Sequence, residues 1–235
     1  MWSTGTSFPF PSTNPPLFSF NHAWVYILST IRLAPEHPFP TGVHDCWDAL
    51  KWAISSSSEL NATPTKGLIV GGTSAGGNIA AVLAILSRDE GLQPPITGQY
   101  LSVPALLPST NVPDHLHHLY TSRTDNVDDP VLKKIDELGV LAIYKPEQKS
   151  LLWDPFNHPQ GHMGVCRAFF QVGGLDPLRD ESVLYYWRLR ESSVEARMEL
   201  YKGLGHVFWT NWPELEESRK FVKDAVEGIR WLLEG

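Results

Sequence analysis

The chain has 235 residues, 42% of them hydrophobic, which is enough to bury one sizeable core and predicts a single folded domain. Its 19 basic and 26 acidic residues give a formal net charge of -7, which argues against nucleic acid or an anionic membrane surface as a partner. No apolar run reaches the roughly 18 to 20 residues of a membrane span, so we expect a soluble protein that acts on a small molecule.

The N-terminal segment, residues 1–22, is predicted to be irregular. Four prolines interrupt it, and it lacks the basic start and unbroken apolar stretch of a secretory signal. One domain would then occupy residues 23–235. Its first element is the aromatic and β-branched run from Ala23 to Ile31, which predicts a buried strand that ends before Pro35.

A helix and a strand-turn-helix unit come next. Apolar residues at helical spacing predict an amphipathic helix from Val43 to Ile54. Leu68–Val70 then predicts a second strand, which glycines and Ser74 separate from a nearly all-apolar helix at Asn78–Leu86.

Strands and helices continue to alternate towards the C-terminus, where the last helix is predicted from Pro213 to Leu233. Three further strands are predicted at Gly98–Val103, Ala168–Val172 and Arg197–Tyr201. The alternation predicts an α/β fold with a mostly parallel sheet and helices on both faces. Residues 105–165 break the pattern, apart from one predicted helix over 130–144, and we interpret them as a lid or substrate-pocket insertion.

The turn after the second strand reads Gly72-Thr73-Ser74-Ala75-Gly76, a G-x-S-x-G sequence between a predicted strand and a predicted helix. In that context the motif predicts a strained turn that holds the Ser74 hydroxyl above the sheet edge, with glycines where Cβ atoms would collide. The N–H of Ala75 would then stabilise an oxyanion. A bland glycine-rich turn is the alternative.

A serine hydroxyl needs a base and an orienting carboxylate, which should follow in the order Ser, Asp, His. Of the six histidines after Ser74, His206 follows the last strand, where a loop at the carboxyl edge of the sheet can present it. A histidine that merely packs near Phe208 and Trp209 is the alternative. The base is therefore predicted to be His206.

Asp176 follows the strand Ala168–Val172 and two glycines, which places its carboxylate at the same edge as Ser74. Asp180 and Glu181 are rivals, but we expect them in the first turn of the next helix, where they would interact with its dipole. Asp176 is therefore predicted as the orienting acid.

No cofactor or metal is predicted. The run His115-Leu116-His117-His118 lacks partners at ligand spacing and is interpreted as a solvated loop. The two cysteines, Cys46 and Cys166, have neither disulfide-framework nor zinc spacing, which favours a reducing, cytoplasmic setting. Aromatic residues after His206 are expected to pack beneath the final helix, although an acyl pocket is the alternative; they are Phe208, Trp209 and Trp212.

Three blocks of this sequence, in family order, resemble the hormone-sensitive-lipase-like esterases, family IV carboxylesterases of the α/β-hydrolase superfamily, over about Ile31 to Leu233. They are Arg32-Leu33-Ala34-Pro35-Glu36-His37-Pro38-Phe39-Pro40, Gly72-Thr73-Ser74-Ala75-Gly76-Gly77-Asn78 and Asp176-Pro177-Leu178-Arg179-Asp180-Glu181. The resemblance, to the G-T-S-A-G subgroup, implies hydrolysis of small-molecule carboxylic esters through an acyl-enzyme without a cofactor. It favours short-chain or secondary-metabolite esters as substrates, and a homodimer is one assembly left open.

One feature departs from the family. Its members carry a His-Gly-Gly-Gly loop upstream of the Arg32 block, which supplies N–H groups to the oxyanion hole, and this sequence has no such run. The strands before that loop also have no counterpart in residues 1–22. We therefore expect an N-terminally incomplete chain with slowed turnover. A catalytically impaired or silent binding protein on this scaffold, and an unstable fragment, are the alternatives to an active esterase.

Overall fold

The computed structural model describes residues 24–132 and 134–234, so the segment 1–22 that we predicted to be irregular lies outside the described residues. The strand predicted over Ala23–Ile31 is wrong where it can be compared. Residues 24–31 have no regular secondary structure, and Tyr26 is 74% exposed. A strand exists only by pairing with a neighbour, and no described strand pairs with this run.

Within the part of the chain that the structure describes, four parallel strands form one sheet and stand in chain order across it. They are β1 (Ile69–Thr73), β2 (Gly98–Ser102), β3 (Arg167–Gly173) and β4 (Ala196–Tyr201). The register pairs Ile69 with Gly98, Gly98 with Arg167 and Ala168 with Ala196. All four strands were predicted, although β1 continues through its glycines to Thr73, directly before Ser74. The carboxyl ends of all four strands therefore lie at one edge of the sheet.

The described residues contain seven α-helices. They are α1 (Thr41–Ser55), α2 (Ala75–Asp89), α3 (Ser122–Asp125), α4 (Lys134–Tyr144), α5 (Arg179–Glu191), α6 (Phe208–Asn211) and α7 (Glu216–Leu233). The final helix begins three residues after the predicted Pro213, because Leu215 still has an extended backbone. None of these helices is both long and apolar enough to cross a bilayer.

Helices cover both faces of the sheet, as predicted for this α/β fold. One face packs against α2 and α5, with α1 packed on α2, in a core that contains Leu101, Phe170 and Tyr185. On the other face, Tyr100 and Phe169 contact the apolar side of α7. This alternation of neighbouring residues between faces is the two-residue period of a strand that is buried on both sides.

The insertion of residues 105–165 is fastened to α5 by the buried carboxylate of Glu181. Its Oε2 accepts the N–H groups of Leu106 and Leu107 at 2.7 and 3.0 Å. Its Oε1 accepts from the Arg123 guanidinium and from the Tyr120 hydroxyl. Burial raises the pKa of the Glu181 carboxyl, and Arg123 opposes that rise. The insertion is thus tied to the core through a buried ion pair.

Candidate active site

Ser74 occupies the sharp turn between β1 and α2. Its backbone has φ 57° and ψ -118°, a left-handed conformation that L-residues with a side chain rarely adopt. The turn is held because the Ser74 N–H donates to Ser102 O at 2.9 Å and the Ser74 carbonyl accepts from Asn78 N–H at 3.1 Å. The strained turn predicted from the motif is therefore present.

The two motif glycines differ in how much space surrounds them. A Cβ on Gly72 would lie 2.3 Å from the backbone carbonyl carbon and oxygen of Gly76, which forbids any larger residue there. A Cβ on Gly76 would meet no atom within 4 Å. The predicted collision therefore holds for Gly72 and is wrong for Gly76. The second close approach is at Gly77, whose Cβ would lie 2.7 Å from Pro104 Cβ.

Ser74, His206 and Asp176 come together at the carboxyl edge of the sheet. His206 Nε2 lies 3.1 Å from Ser74 Oγ, and His206 Nδ1 lies 2.8 Å from Asp176 Oδ2. A carboxylate can only accept, so Nδ1 carries the proton and Nε2 is free to accept the Ser74 hydroxyl proton. The side chains of His206 and Asp176 are buried. The three predicted residues therefore form a hydrogen-bonded chain in which a proton can move from Ser74 to His206.

The loops that carry this pair are held by contacts that sequence reasoning missed. Asp176 Oδ1 accepts from Leu178 N–H at 2.8 Å, which fixes the carboxylate plane. Two side chains of the insertion reach the same loops: Asn126 Nδ2 donates to Asp176 O at 3.1 Å, and Asp129 Oδ2 accepts from His206 N–H at 2.8 Å. The last two contacts join residues 50 and 77 positions apart, so no local sequence pattern signals them.

Asp180 and Glu181, the rivals of Asp176, lie in the first turn of α5 as expected. Neither is the carboxylate bonded to His206. Asp180 Oδ2 instead accepts the N–H groups of Thr121 and Ser122 at 2.8 and 2.7 Å. Both carboxylates therefore hold the insertion, beyond any effect on the helix dipole.

Ala75, the predicted oxyanion donor, is the first residue of α2. The first N–H groups of a helix have no intrahelical acceptor and carry the positive end of its dipole. The Ala75 amide therefore adjoins Ser74 at a position where a developing negative charge would be stabilised.

Other chemically active side chains lie apart from this chain of hydrogen bonds. The run His115 to His118 belongs to an exposed 3₁₀ helix, Asp114–Leu119. Within the described residues, no three His, Cys, Asp or Glu side chains form a metal-ligand group. Burial raises the pKa of the Cys46 thiol to about 11 and that of Cys166 to about 12, which keeps both protonated and poorly nucleophilic near neutral pH.

The aromatic residues after His206 mainly serve packing, as predicted. Phe208 and Trp209 are buried, and the Trp209 ring stacks on Phe221 of α7 at 3.7 Å between centroids. Trp212 is 37% exposed and lines a cavity of about 450 Å³ beside the loop that precedes His206. Asp129 lines the same cavity, and Ser74 does not.

Comparisons with known proteins agree with this architecture. A family model described as the alpha/beta hydrolase fold matches residues 23–210. An AB hydrolase superfamily protein of Schizosaccharomyces pombe is 37% identical over 86% of this chain and 60% of its own length. The carboxylesterase NlhH of Mycobacterium tuberculosis is 36% identical over 71% of this chain and 51% of its own.

A solved structure also superposes closely. The crystal structure of vibralactone cyclase has a TM-score of 0.83 and 32% identity, and covers 87% of this chain and 60% of that one. The chain therefore spans between half and two thirds of the length of these proteins.

Proposed function

Because the chain belongs to the α/β-hydrolase fold family, we propose that it hydrolyses carboxylic esters through an acyl-enzyme formed on Ser74. The resemblance to hormone-sensitive-lipase-like carboxylesterases is confirmed by the family match and by the carboxylesterase relative. The observation that carries the proposal is the chain of hydrogen bonds from Ser74 Oγ through His206 to Asp176.

The first half-reaction acylates the serine. His206 Nε2 accepts the hydroxyl proton while Ser74 Oγ attacks the ester carbonyl carbon, and the carbonyl oxygen becomes an oxyanion. The Ala75 N–H donates to that oxyanion. The tetrahedral intermediate collapses when the C–O bond to the alcohol breaks and the imidazolium returns its proton to the leaving oxygen. An acyl-Ser74 ester and a free alcohol result.

The second half-reaction repeats these steps with water. His206 Nε2 takes a proton from water, the hydroxide adds to the acyl carbon, and Ser74 Oγ leaves with the proton that the imidazolium returns. Asp176 keeps the proton on Nδ1 and stabilises the imidazolium in both halves. The mechanism needs no cofactor or metal.

We assign residues 23–235 to one hydrolase domain and residues 105–165 to its substrate-pocket insertion. The ties through Glu181 and Asp180 support this assignment, because they hold the insertion against the edge where Ser74 lies. Short-chain or secondary-metabolite esters are the substrates that we propose from the family resemblance. A cytoplasmic setting and a homodimeric assembly are also proposals, the first of which rests on two free cysteines.

A second candidate function is a catalytically silent or impaired binding protein on the same scaffold. The observation that favours it is that, among the described residues, Ala75 N–H is the one oxyanion donor that we assign. Loss of one preorganised donor lowers kcat by about 10²- to 10³-fold. Measured turnover distinguishes the two candidates, because a silent protein shows no Ser74-dependent hydrolysis.

Substitutions at the hydrogen-bonded chain test the proposal. Ser74→Ala and His206→Ala should each remove hydrolysis of p-nitrophenyl acetate and butyrate, because nucleophile and base act as a unit worth on the order of 10⁶-fold in kcat. Asp176→Asn should be milder, at about 10⁴-fold. Ser58→Ala, an exposed serine after α1, is the matched control and should keep wild-type rates. Hydrolysis that survives in Ser74→Ala would exclude the proposed nucleophile.

Covalent labelling gives an independent test. A serine-directed organophosphonate should modify Ser74 alone, because the strained turn and the His206 hydrogen bond activate that hydroxyl. Peptide mass spectrometry would locate the adduct, with Ser58→Ala labelled like the wild type. An adduct at another serine of the folded protein, with Ser74 unmodified, would contradict the assignment.

A further inference from the structure

Asp129 lies in the insertion, yet its side chain binds the loop that carries His206. Its Oδ2 accepts His206 N–H at 2.8 Å, and its Oδ1 accepts the N–H groups of Val131 and Leu132 at 2.8 and 2.6 Å. The residue is 5% exposed. Both oxygens of this buried carboxylate are thus satisfied by backbone donors, and one of those donors belongs to His206.

The His206 loop is shaped to admit this carboxylate. A Cβ on the preceding residue, Gly205, would lie 2.1 Å from Asp129 Oδ2. Any other residue at position 205 would therefore push the carboxylate away from His206. Gly205 therefore leaves the space that the Asp129 carboxylate occupies beside His206 N–H.

The same segment also holds the partner of His206. Asn126 Nδ2 donates to Asp176 O at 3.1 Å, and Asp129 N–H donates to Asn126 O at 3.1 Å. Ser122 Oγ donates to Pro177 O at 2.8 Å, beside Asp176. Both loops of the His206–Asp176 pair are therefore fixed relative to one short piece of the insertion.

We propose that Asp129 is a positioning residue for the esterase reaction, and that it sets the distance and angle of His206 relative to Ser74 and Asp176. The inference rests on the proposed function of Ser74 and His206. Charge-assisted hydrogen bonds from a carboxylate to backbone N–H groups are short and strong, so Asp129 restrains the His206 backbone more firmly than a neutral acceptor would. Asp129 itself touches no reacting atom.

The first test replaces the carboxylate with its neutral isostere. Asp129→Asn should lower kcat for p-nitrophenyl butyrate by about 10- to 100-fold and leave KM nearly unchanged, because displacement of a catalytic group by about 1 Å costs about 10²-fold. Asp128→Asn, an exposed neighbour, is the matched control and should keep wild-type kcat. Circular dichroism at the assay temperature would establish that each variant is folded.

A double-mutant cycle tests the pairing with Gly205. Gly205→Ala alone should lower kcat about as much as Asp129→Ala, because its methyl group displaces the carboxylate. The Asp129→Ala variant has no carboxylate to displace. Adding Gly205→Ala to it should therefore lower kcat by a further factor of less than about three. Equal losses in both backgrounds would overturn the proposed contact.

A spectroscopic measurement separates this inference from the proposed function. The low-field proton resonance of His206 Nδ1–H reports the hydrogen bond to Asp176 whether or not the protein cleaves esters. We expect that resonance to shift or broaden in Asp129→Asn and to be unchanged in Asp128→Asn. An unmoved resonance in folded Asp129→Asn, even with reduced stability, would overturn the positioning role. Activity that persists in Ser74→Ala would refute the proposed function, and the resonance would still decide the role of Asp129.

Discussion

Acidification should destabilise the protein through His162, a buried histidine of the segment 105–165. Its side chain is 1% exposed, and its Nε2–H donates to Pro155 O at 2.8 Å. Its Nδ1 is buried with no hydrogen-bond partner among the described residues. Burial, together with the positive charges of Arg188 and Arg88, lowers the pKa of His162 to about 4. Protonation would add a buried Nδ1–H for which no described residue provides an acceptor.

The size of the effect follows from linkage. The pKa of His162 is about 4 in the folded chain and 6.5 as a reference value, so the unfolded chain takes up the proton first as the pH falls. Stability from the neutral imidazole is therefore fully present above about pH 6.5 and is lost progressively down to about pH 4. One pKa unit corresponds to about 1.4 kcal/mol, so His162 should remove about 2 kcal/mol between about pH 7 and about pH 5.

Urea unfolding at those two pH values would measure this loss. His162→Gln keeps an N–H donor for Pro155 but does not titrate. From about pH 7 to about pH 5, the wild type should therefore lose about 2 kcal/mol more of its free energy of unfolding than this variant loses. His44→Gln removes an exposed histidine of α1 and should behave like the wild type. The same pH dependence in wild type and His162→Gln would refute the reasoning.

Two further predictions concern glycine spacing and core packing. Gly72→Ala should prevent phosphonate labelling of Ser74, because its methyl group collides with the Gly76 carbonyl, whereas Gly76→Ala should fold with an unchanged or higher thermal midpoint. Labelled Gly72→Ala would contradict this. Phe221→Ala should lower the free energy of unfolding in urea by about 3 to 5 kcal/mol, because the ring is fully buried and stacks on Trp209. A loss below about 1 kcal/mol would mean that the neighbouring rings refill the space.

The sequence was sufficient to predict that Ser74, Asp176 and His206 come together, because the loops that follow parallel strands lie at one edge of the sheet. Each of the three residues follows a strand that has a local sequence signature. Their meeting at one edge can therefore be predicted without knowing any long-range contact. The collision at Gly72 was likewise predictable, because it arises within four residues of the turn.

The predictions that failed or were missing depend on contacts between distant residues. The run 24–31 has the composition of a strand, but strand formation needs a paired neighbour, which composition does not encode. Asp129 looks like an ordinary turn residue before Pro130, and its bond to His206 spans 77 positions. The open space beside Gly76 also depends on how the surrounding chain folds, and the motif alone says nothing about it.

The support that residues 122–129 give to the loops of Asp176 and His206 limits how this protein can be re-engineered. An insertion of this kind is an obvious target for exchange between relatives to alter substrate preference. Replacement of all of residues 105–165 would also remove the hydrogen bonds from Ser122, Asn126 and Asp129 to those loops. A graft that begins after Asp129 would keep these hydrogen bonds, so residue 130 is the natural N-terminal junction for such a chimaera. For the same reason, any opening motion of the insertion that keeps these bonds would have to hinge at or beyond residue 130.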